Sequence, residues 1–121
     1  MRTLFYLLSL QQNTIAMDIV FKKDYLRELY YNGRANDKKH RFQTHIIRKY
    51  IRVVDILDAV SKVEDLYRFQ SLHYEKLKGD KLGLESVRIN DQYRIEFYIE
   101  SHSIDQKITI CNIVELSNHY K

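Results

Sequence analysis

The sequence predicts an α+β protein, with a small antiparallel-rich sheet of about five strands and two to three helices packed on one face. Three observations predict it. A short strand-like run opens the recognisable pattern, and helix-period stripes follow over the next fifty or so residues. After Gln70 the periodicity changes to the alternation of strands joined by turn residues. Strand, helices, then a meander places helices on one face of a sheet. At 121 residues the chain suits a single domain with a small core.

Residues 1–16, MRTLFYLLSLQQNTIA, read as an N-terminal extension outside the core. Their apolar run, Leu4 to Leu10, is too short to span a membrane. With Arg2 as its one flanking charge it makes only a weak signal peptide, so an upstream start codon or an appended segment is the favoured reading. The domain, 17–121, opens at Met17. DIVF, residues 18–21, reads as the first strand. Residues 22–32 follow as a short helix with Leu26, Leu29 and Tyr30 at helical spacing, and Gly33 suits its C-terminal cap. Asn36 or Asp37 would cap the next helix, where Phe42, Ile46, Tyr50, Val53, Leu57 and Val60 form one apolar stripe. Ser61 with Glu64 matches a capping box and predicts a short third helix over VEDLYRF. Strands are expected over 72–78, 84–90, 93–100 and 107–116, broken by GDKLG, NDQ and SHSIDQ.

Composition narrows the function classes. The one cysteine, Cys111, excludes an intrachain disulfide framework and fits a reducing, cytoplasmic compartment. Cys111 lies in ITICNIV and is expected in the core. The histidines lack metal-site spacing and no glycine-rich phosphate loop is present, so no metal and no cofactor are expected. The net charge of +4 is a mild bias toward acidic partners.

The distribution of that charge is more informative. Arg34, Lys38, Lys39, Arg41, Arg48, Lys49 and Arg52 crowd the predicted long helix, with Asp37 the one acid among them. That spacing points to polyanion contact through Lys38, Lys39, Arg41, Arg48 and Lys49. In the sheet, a three-residue NDQ loop pairs Val87 with Ile95 and Arg88 with Arg94. A five-residue GDKLG loop pairs Lys78 with Leu84 and Lys76 with Ser86. Lys76, Lys78, Arg88 and Arg94 would then share one face, and like charges directly opposite are destabilising. Either Glu96 and Glu100 compensate them, or an anion such as a phosphate sits there.

LKGDKLGLESVRINDQYRIEF, followed by IVELSNHYK, resembles the HigB branch of the RelE/ParE toxin superfamily over most of the chain from Met17. The resemblance implies the toxin of a type II toxin–antitoxin system, an endoribonuclease that cuts mRNA in the ribosomal A site. In such toxins the 2′-hydroxyl attacks the adjacent phosphate without a metal. The implied partners are a HigA-like helix-turn-helix antitoxin, the ribosome and mRNA, with promoter DNA reached through the antitoxin complex and no membrane. Lys78 and Arg94 fall on the family's lysine and arginine. Glu75 stands where the family often has a histidine, and His73 lies two residues further back. The family's last strand often ends in an acid, an aromatic and a histidine. Glu115 stands at the acid, Leu116 and Ser117 replace the next two, and His119 and Tyr120, slightly later, take their place if the tail folds back. His119 and Glu75 are expected to move the protons, with Tyr120 and His73 in reserve. Strand alternation would put Glu75 and His73 opposite to Lys76 and Lys78 unless a bulge intervenes. The alternatives are a ParE-like inhibitor of DNA gyrase and a non-catalytic nucleic-acid-binding module.

Overall fold

The computed structural model describes residues 17–103 and 107–118. The extension 1–16 and the terminal His119 and Tyr120 lie outside the described residues. The strands are β1 (Asp18–Phe21), β2 (Glu75–Lys76), β3 (Glu85–Arg88), β4 (Tyr93–Ser103) and β5 (Lys107–Asn118). Two α-helices, α1 (Asp24–Asn32) and α2 (Thr44–Ala59), lie between β1 and β2, followed by tight 3₁₀ turns at Val63–Arg68 and Gln70–Leu72. The sheet order is β1-β5-β4-β3-β2. β1 pairs parallel with β5, and the other pairings are antiparallel. This is the expected α+β architecture.

The helices form because each carries one apolar stripe that the sheet can cover. Tyr25, Leu26 and Leu29 of α1 and Ile46, Ile47, Tyr50, Val53, Val54 and Leu57 of α2 are buried. They share one core with Val87, Ile89, Ile95, Phe97, Cys111 and Ile113 of the sheet region. Fully burying one such aliphatic side chain contributes roughly 1.5–3 kcal/mol. The Tyr50 hydroxyl donates to the Leu26 carbonyl at 2.8 Å and ties the two helices together. Gly33 ends α1 in the left-handed conformation, as expected, and returns its N–H to Leu29.

Several expected boundaries move. The long helix starts at Thr44, so Lys38, Lys39 and Arg41 stand in the loop before it, and Arg48 and Lys49 remain on it. Asp37 does cap, but it caps a turn. Its Oδ1 accepts the His40 N–H at 2.9 Å, a local bond that competes with helix formation. The segment after Ser61 makes a 3₁₀ turn, Val63–Arg68, with Lys62 at its start and no side-chain cap. The expected strand 72–78 shrinks to Glu75–Lys76, because Leu72 ends a turn and His73 adopts φ +44°. β4 and β5 reach further than expected, and Ser103 pairs with Lys107.

The register across the GDKLG turn is one residue off the expected one. Glu75 pairs with Ser86 and Lys76 with Glu85. Gly79 and Gly83 both take left-handed φ, and Leu77 N–H bonds to the Leu84 carbonyl. The connection is therefore six residues rather than five, and a one-residue slip exchanges the two faces of a strand. Lys76 leaves the face of Arg94, and Glu75 joins it. Lys78 lies outside the ladder, at the entry to the turn Gly79–Lys81.

Candidate active site

β3 and β4 place Arg88 directly opposite Arg94, Val87 opposite Ile95 and Ser86 opposite Glu96. The NDQ hairpin holds that register because the Asn90 side chain accepts the N–H groups of Gln92 at 2.9 Å and Tyr93 at 2.8 Å. Val87 and Ile95 face the helices. Ser86, Arg88, Arg94, Glu96 and, through the corrected register, Glu75 therefore share the opposite, open face.

The expected cluster of four converging cations does not form. Arg88 forms an ion pair with Asp91 in the turn, and Arg94 forms one with Glu75. Lys81 reaches over from the glycine-flanked turn to Glu96, whose side chain is 8 % exposed. Glu100 instead accepts from Asn112 at 2.7 Å. The compensating acids are thus Asp91 and Glu75, not Glu96 and Glu100.

Arg94 is the most enclosed cation of the group, with its side chain 18 % exposed. Its Nη1 donates to Glu75 and, at 3.1 Å, to Ser86 Oγ. Both bonds use Nη1. The Nε and Nη2 donors have no partner among the described residues. Ser86 is fully buried and fixes the guanidinium from below.

The end of β5 adds a second carboxylate. β1 stops at Phe21 while β5 runs to Asn118, which leaves the outer edge of β5 without a strand beyond Ile113. Tyr25 of α1 fills the gap. Its hydroxyl accepts the Leu116 N–H at 2.9 Å and donates to Glu115 Oε1 at 2.7 Å. Lys23 Nζ reaches the same oxygen at 2.9 Å. Burial opposes ionisation of Glu115, but the Tyr25 hydroxyl and the Lys23 ammonium outweigh it and hold its pKa below the ordinary value. Burial, with Glu115 adding, pushes the Tyr25 hydroxyl far up, so it remains a donor. Glu115 sits opposite Glu96 across the strands. The His40 ring stacks on Tyr25 at 3.5 Å and bonds to Asp37 through Nδ1 at 2.9 Å.

The loop before α2 forms an open cavity of about 410 Å³, lined by Arg34, Asn36, Asp37, His40, Arg41 and Phe42, among others. Arg34, Lys38, Lys39, Arg41, Arg48, Lys49 and Arg52 have no acid within ion-pair distance among the described residues.

The open face therefore gathers Arg94, Arg88 and Glu75 from the residues singled out in the sequence. His73 does not share a strand face with Glu75, because the chain turns there. Sequence reasoning missed Lys81, Lys23 and Tyr25, whose partners come from distant positions and leave no local pattern. Ser86 stands in the Ser-x-Arg pattern and could have been found from it. Cys111 is buried with its thiol pKa pushed up by burial, an inert core residue as expected.

Residues 19–109 match the family model of the RelE-like toxin of the type II toxin–antitoxin system HigB. The chain belongs to this toxin family. It is 34 % identical over 82 residues to Toxin HigB-1 of Vibrio cholerae, which spans 67 % of this chain and 82 % of that relative. It is 26 % identical over 85 residues to an uncharacterized protein of Haemophilus influenzae, covering 70 % of this chain and 81 % of the relative. The YoeB/ParE toxin from Agrobacterium tumefaciens shares the fold with a TM-score of 0.50 at 17 % identity, over 86 % of this chain and all of that one. The chain is thus a toxin of a type II toxin–antitoxin system. No helix among the described residues of this toxin is long and apolar enough to cross a membrane.

Proposed function

We propose that this toxin is a ribosome-dependent endoribonuclease that cuts mRNA in the A site by 2′-hydroxyl attack. The observation that carries the reading is the state of Arg94. Its guanidinium is anchored through Nη1 to Glu75 and Ser86, and its Nε–Nη2 edge, without a partner among the described residues, takes the phosphate. The phosphoryl oxygens gain negative charge in the transition state, and a preset bidentate donor stabilises that charge most. Glu75 touches the same guanidinium and takes the proton of the 2′-hydroxyl. The 2′-oxygen bonds to phosphorus, the bond to the 5′-oxygen breaks, and an acid protonates the departing oxygen. That acid is His119, with Tyr120 as its alternative, and Lys78 supplies a second cation to the phosphate. His73 is the reserve for proton transfer.

The loop and helix cations, Lys38, Lys39, Arg41, Arg48 and Lys49, hold ribosomal RNA, and Arg88 and Lys76 flank the bound message. The toxin works in the cytoplasm and is neutralised by a HigA-like helix-turn-helix antitoxin, through which it reaches promoter DNA. Residues 1–16 are dispensable. The family match starts at residue 19, and Met17 is already buried, its N–H bonded to Val60 at 3.0 Å. Deleting 1–16 is expected to leave the melting temperature and activity unchanged, and a chain that fails to fold would refute that.

Primer extension on a reporter mRNA with purified ribosomes tests the activity. Cuts confined to ribosome-bound message are expected. An intact message, combined with replication arrest before translation arrest in pulse labelling, would favour gyrase inhibition instead.

A further inference from the structure

We propose that a second cavity, around the outer edge of the sheet from Arg94, is a nucleobase pocket that reads one base of the bound RNA. It has a volume of about 220 Å³ and is lined by Leu66, Tyr67, Phe69, Gln70, His73 and Tyr74. This is below the roughly 300–1,000 Å³ of pockets that hold drug-sized ligands, and it suits one planar ring system.

Its walls are aromatic and only half used by the fold. Tyr67 is 63 % exposed and Phe69 39 % exposed. Tyr67 meets the buried Tyr74 edge-on, with ring centroids 4.9 Å apart at 80°. Tyr74 in turn is fixed by a hydrogen bond from its hydroxyl to Glu85 and by stacking on Phe97 at 6.3 Å. The exposed ring of Tyr67 thus stands on a rigid support, as a stacking platform requires. Gln70 and His73 add side-chain donors and acceptors, both exposed and without side-chain partners among the described residues. A glutamine amide can bond two atoms of one base edge at once.

The placement relates the pocket to the open face. β2 is the last strand of the sheet, so no further strand covers its outer edge. Tyr74, just before it, packs on the helix side, and Glu75 bonds to Arg94 on the open side. A single strand of RNA crossing this edge would set a phosphate at Arg94 and a neighbouring base among Tyr67, Phe69 and Gln70. His73, in the lining of the pocket, takes the left-handed backbone conformation, a strained geometry for a non-glycine residue.

The proposal rests on the endoribonuclease reading, but its test does not depend on cleavage. The chain has no tryptophan, so Phe69→Trp places a single reporter in the pocket. The probes are short 2′-O-methyl oligoribonucleotides of each base, which bind but lack the attacking hydroxyl. We expect saturable fluorescence quenching whose strength depends on the base, weakened about tenfold or more by Tyr67→Ala. Tyr31→Trp, an exposed position near Phe21 at the opposite edge of the sheet, is expected to stay unquenched. Equal quenching at both positions, base-blind quenching, or indifference to Tyr67→Ala would overturn the pocket. On ribosomes, Tyr67→Ala and Gln70→Ala are expected to keep cutting but with altered base preference, and an unchanged cut pattern would also overturn it. Base-dependent quenching in Phe69→Trp, from a chain that never cuts message on ribosomes, would retain the pocket and remove the cleavage reading.

Discussion

On the open face of the sheet the basic side chains sit with acids: Arg88 with Asp91, Arg94 with Glu75 and Lys81 with Glu96. Across the loop before α2 and along that helix, seven lysines and arginines from Arg34 to Arg52 have no such partner among the described residues. Stability does not explain the difference at an exposed pair such as Arg88–Asp91, which contributes only about 0–1 kcal/mol. Position does. A paired guanidinium is held in one place, as a group aimed at a single phosphate must be. An unpaired lysine keeps its rotamers and acts through its field, which is enough to attract a polyanion.

Arg94→Ala is the sharpest way to break this contrast and carries the largest expected effect. It should leave the fold intact and lower the cleavage rate by about 10²–10³. Arg94→Lys should recover little, because an ammonium cannot reproduce the planar edge. Glu75→Gln separates a base from a mere anchor. As the base, its loss should cost roughly 10²–10⁴ in rate and remove the acid-side limb of the pH–rate profile. A wild-type rate and profile in that variant would return Glu75 to the role of neutralising Arg94.

The unpaired population should respond differently. Neutralising Lys38, Lys39, Arg41, Arg48 and Lys49 together should weaken ribosome binding while leaving the chemical step alone. The slope of log affinity against log salt should flatten by up to about 0.9 for each phosphate that the protein no longer neutralises. Unchanged affinity and slope would make this surface an ordinary solvated face.

How much of this was legible in the sequence follows from the range of the interactions involved. The apolar stripe of α2 and the NDQ hairpin are local patterns, and they placed Tyr50, Val53 and Leu57 in the core and Arg88 opposite Arg94. The GDKLG turn was recognised, but its length was not. The left-handed glycines at 79 and 83 allow a six-residue connection, and that one residue decides whether Lys76 or Glu75 joins Arg94. The start of α2 was misplaced because Asp37 can cap a turn as well as a helix. The Lys81–Glu96 and Tyr25–Glu115 pairs join distant segments, and nothing in the local spacing announces them.

Tyr25 tests whether the paired side of the molecule is also a structural brace. Tyr25→Phe keeps the ring that stacks on His40 but removes the hydroxyl between Leu116 and Glu115. A buried backbone N–H loses its acceptor, at a cost of about 1–3 kcal/mol. Denaturant unfolding should show that loss with an unchanged slope. A midpoint equal to wild type would mean that the edge of β5 closes without Tyr25.

The smallest expected effect concerns acid. The pKa of Glu115 is depressed in the folded state, so the folded chain binds fewer protons than the unfolded one near that range. The stabilisation is fully present above the unfolded value, about 4.3 for a glutamate, and is lost as pH falls through the lower folded value. The Glu115–Lys23 pair is half open to solvent, with side-chain exposures of 39 % and 53 %, which keeps the contribution below about 1 kcal/mol. Glu115→Gln should therefore lower stability at pH 7 by no more than about 1 kcal/mol and flatten the acid limb of stability below about pH 4.3. Because the Tyr25 hydroxyl is the other donor to that carboxylate, Tyr25→Phe should flatten the same limb. If the limb keeps its slope in both variants, Glu115 titrates as an isolated surface acid, and the paired side of the molecule ends at Glu96.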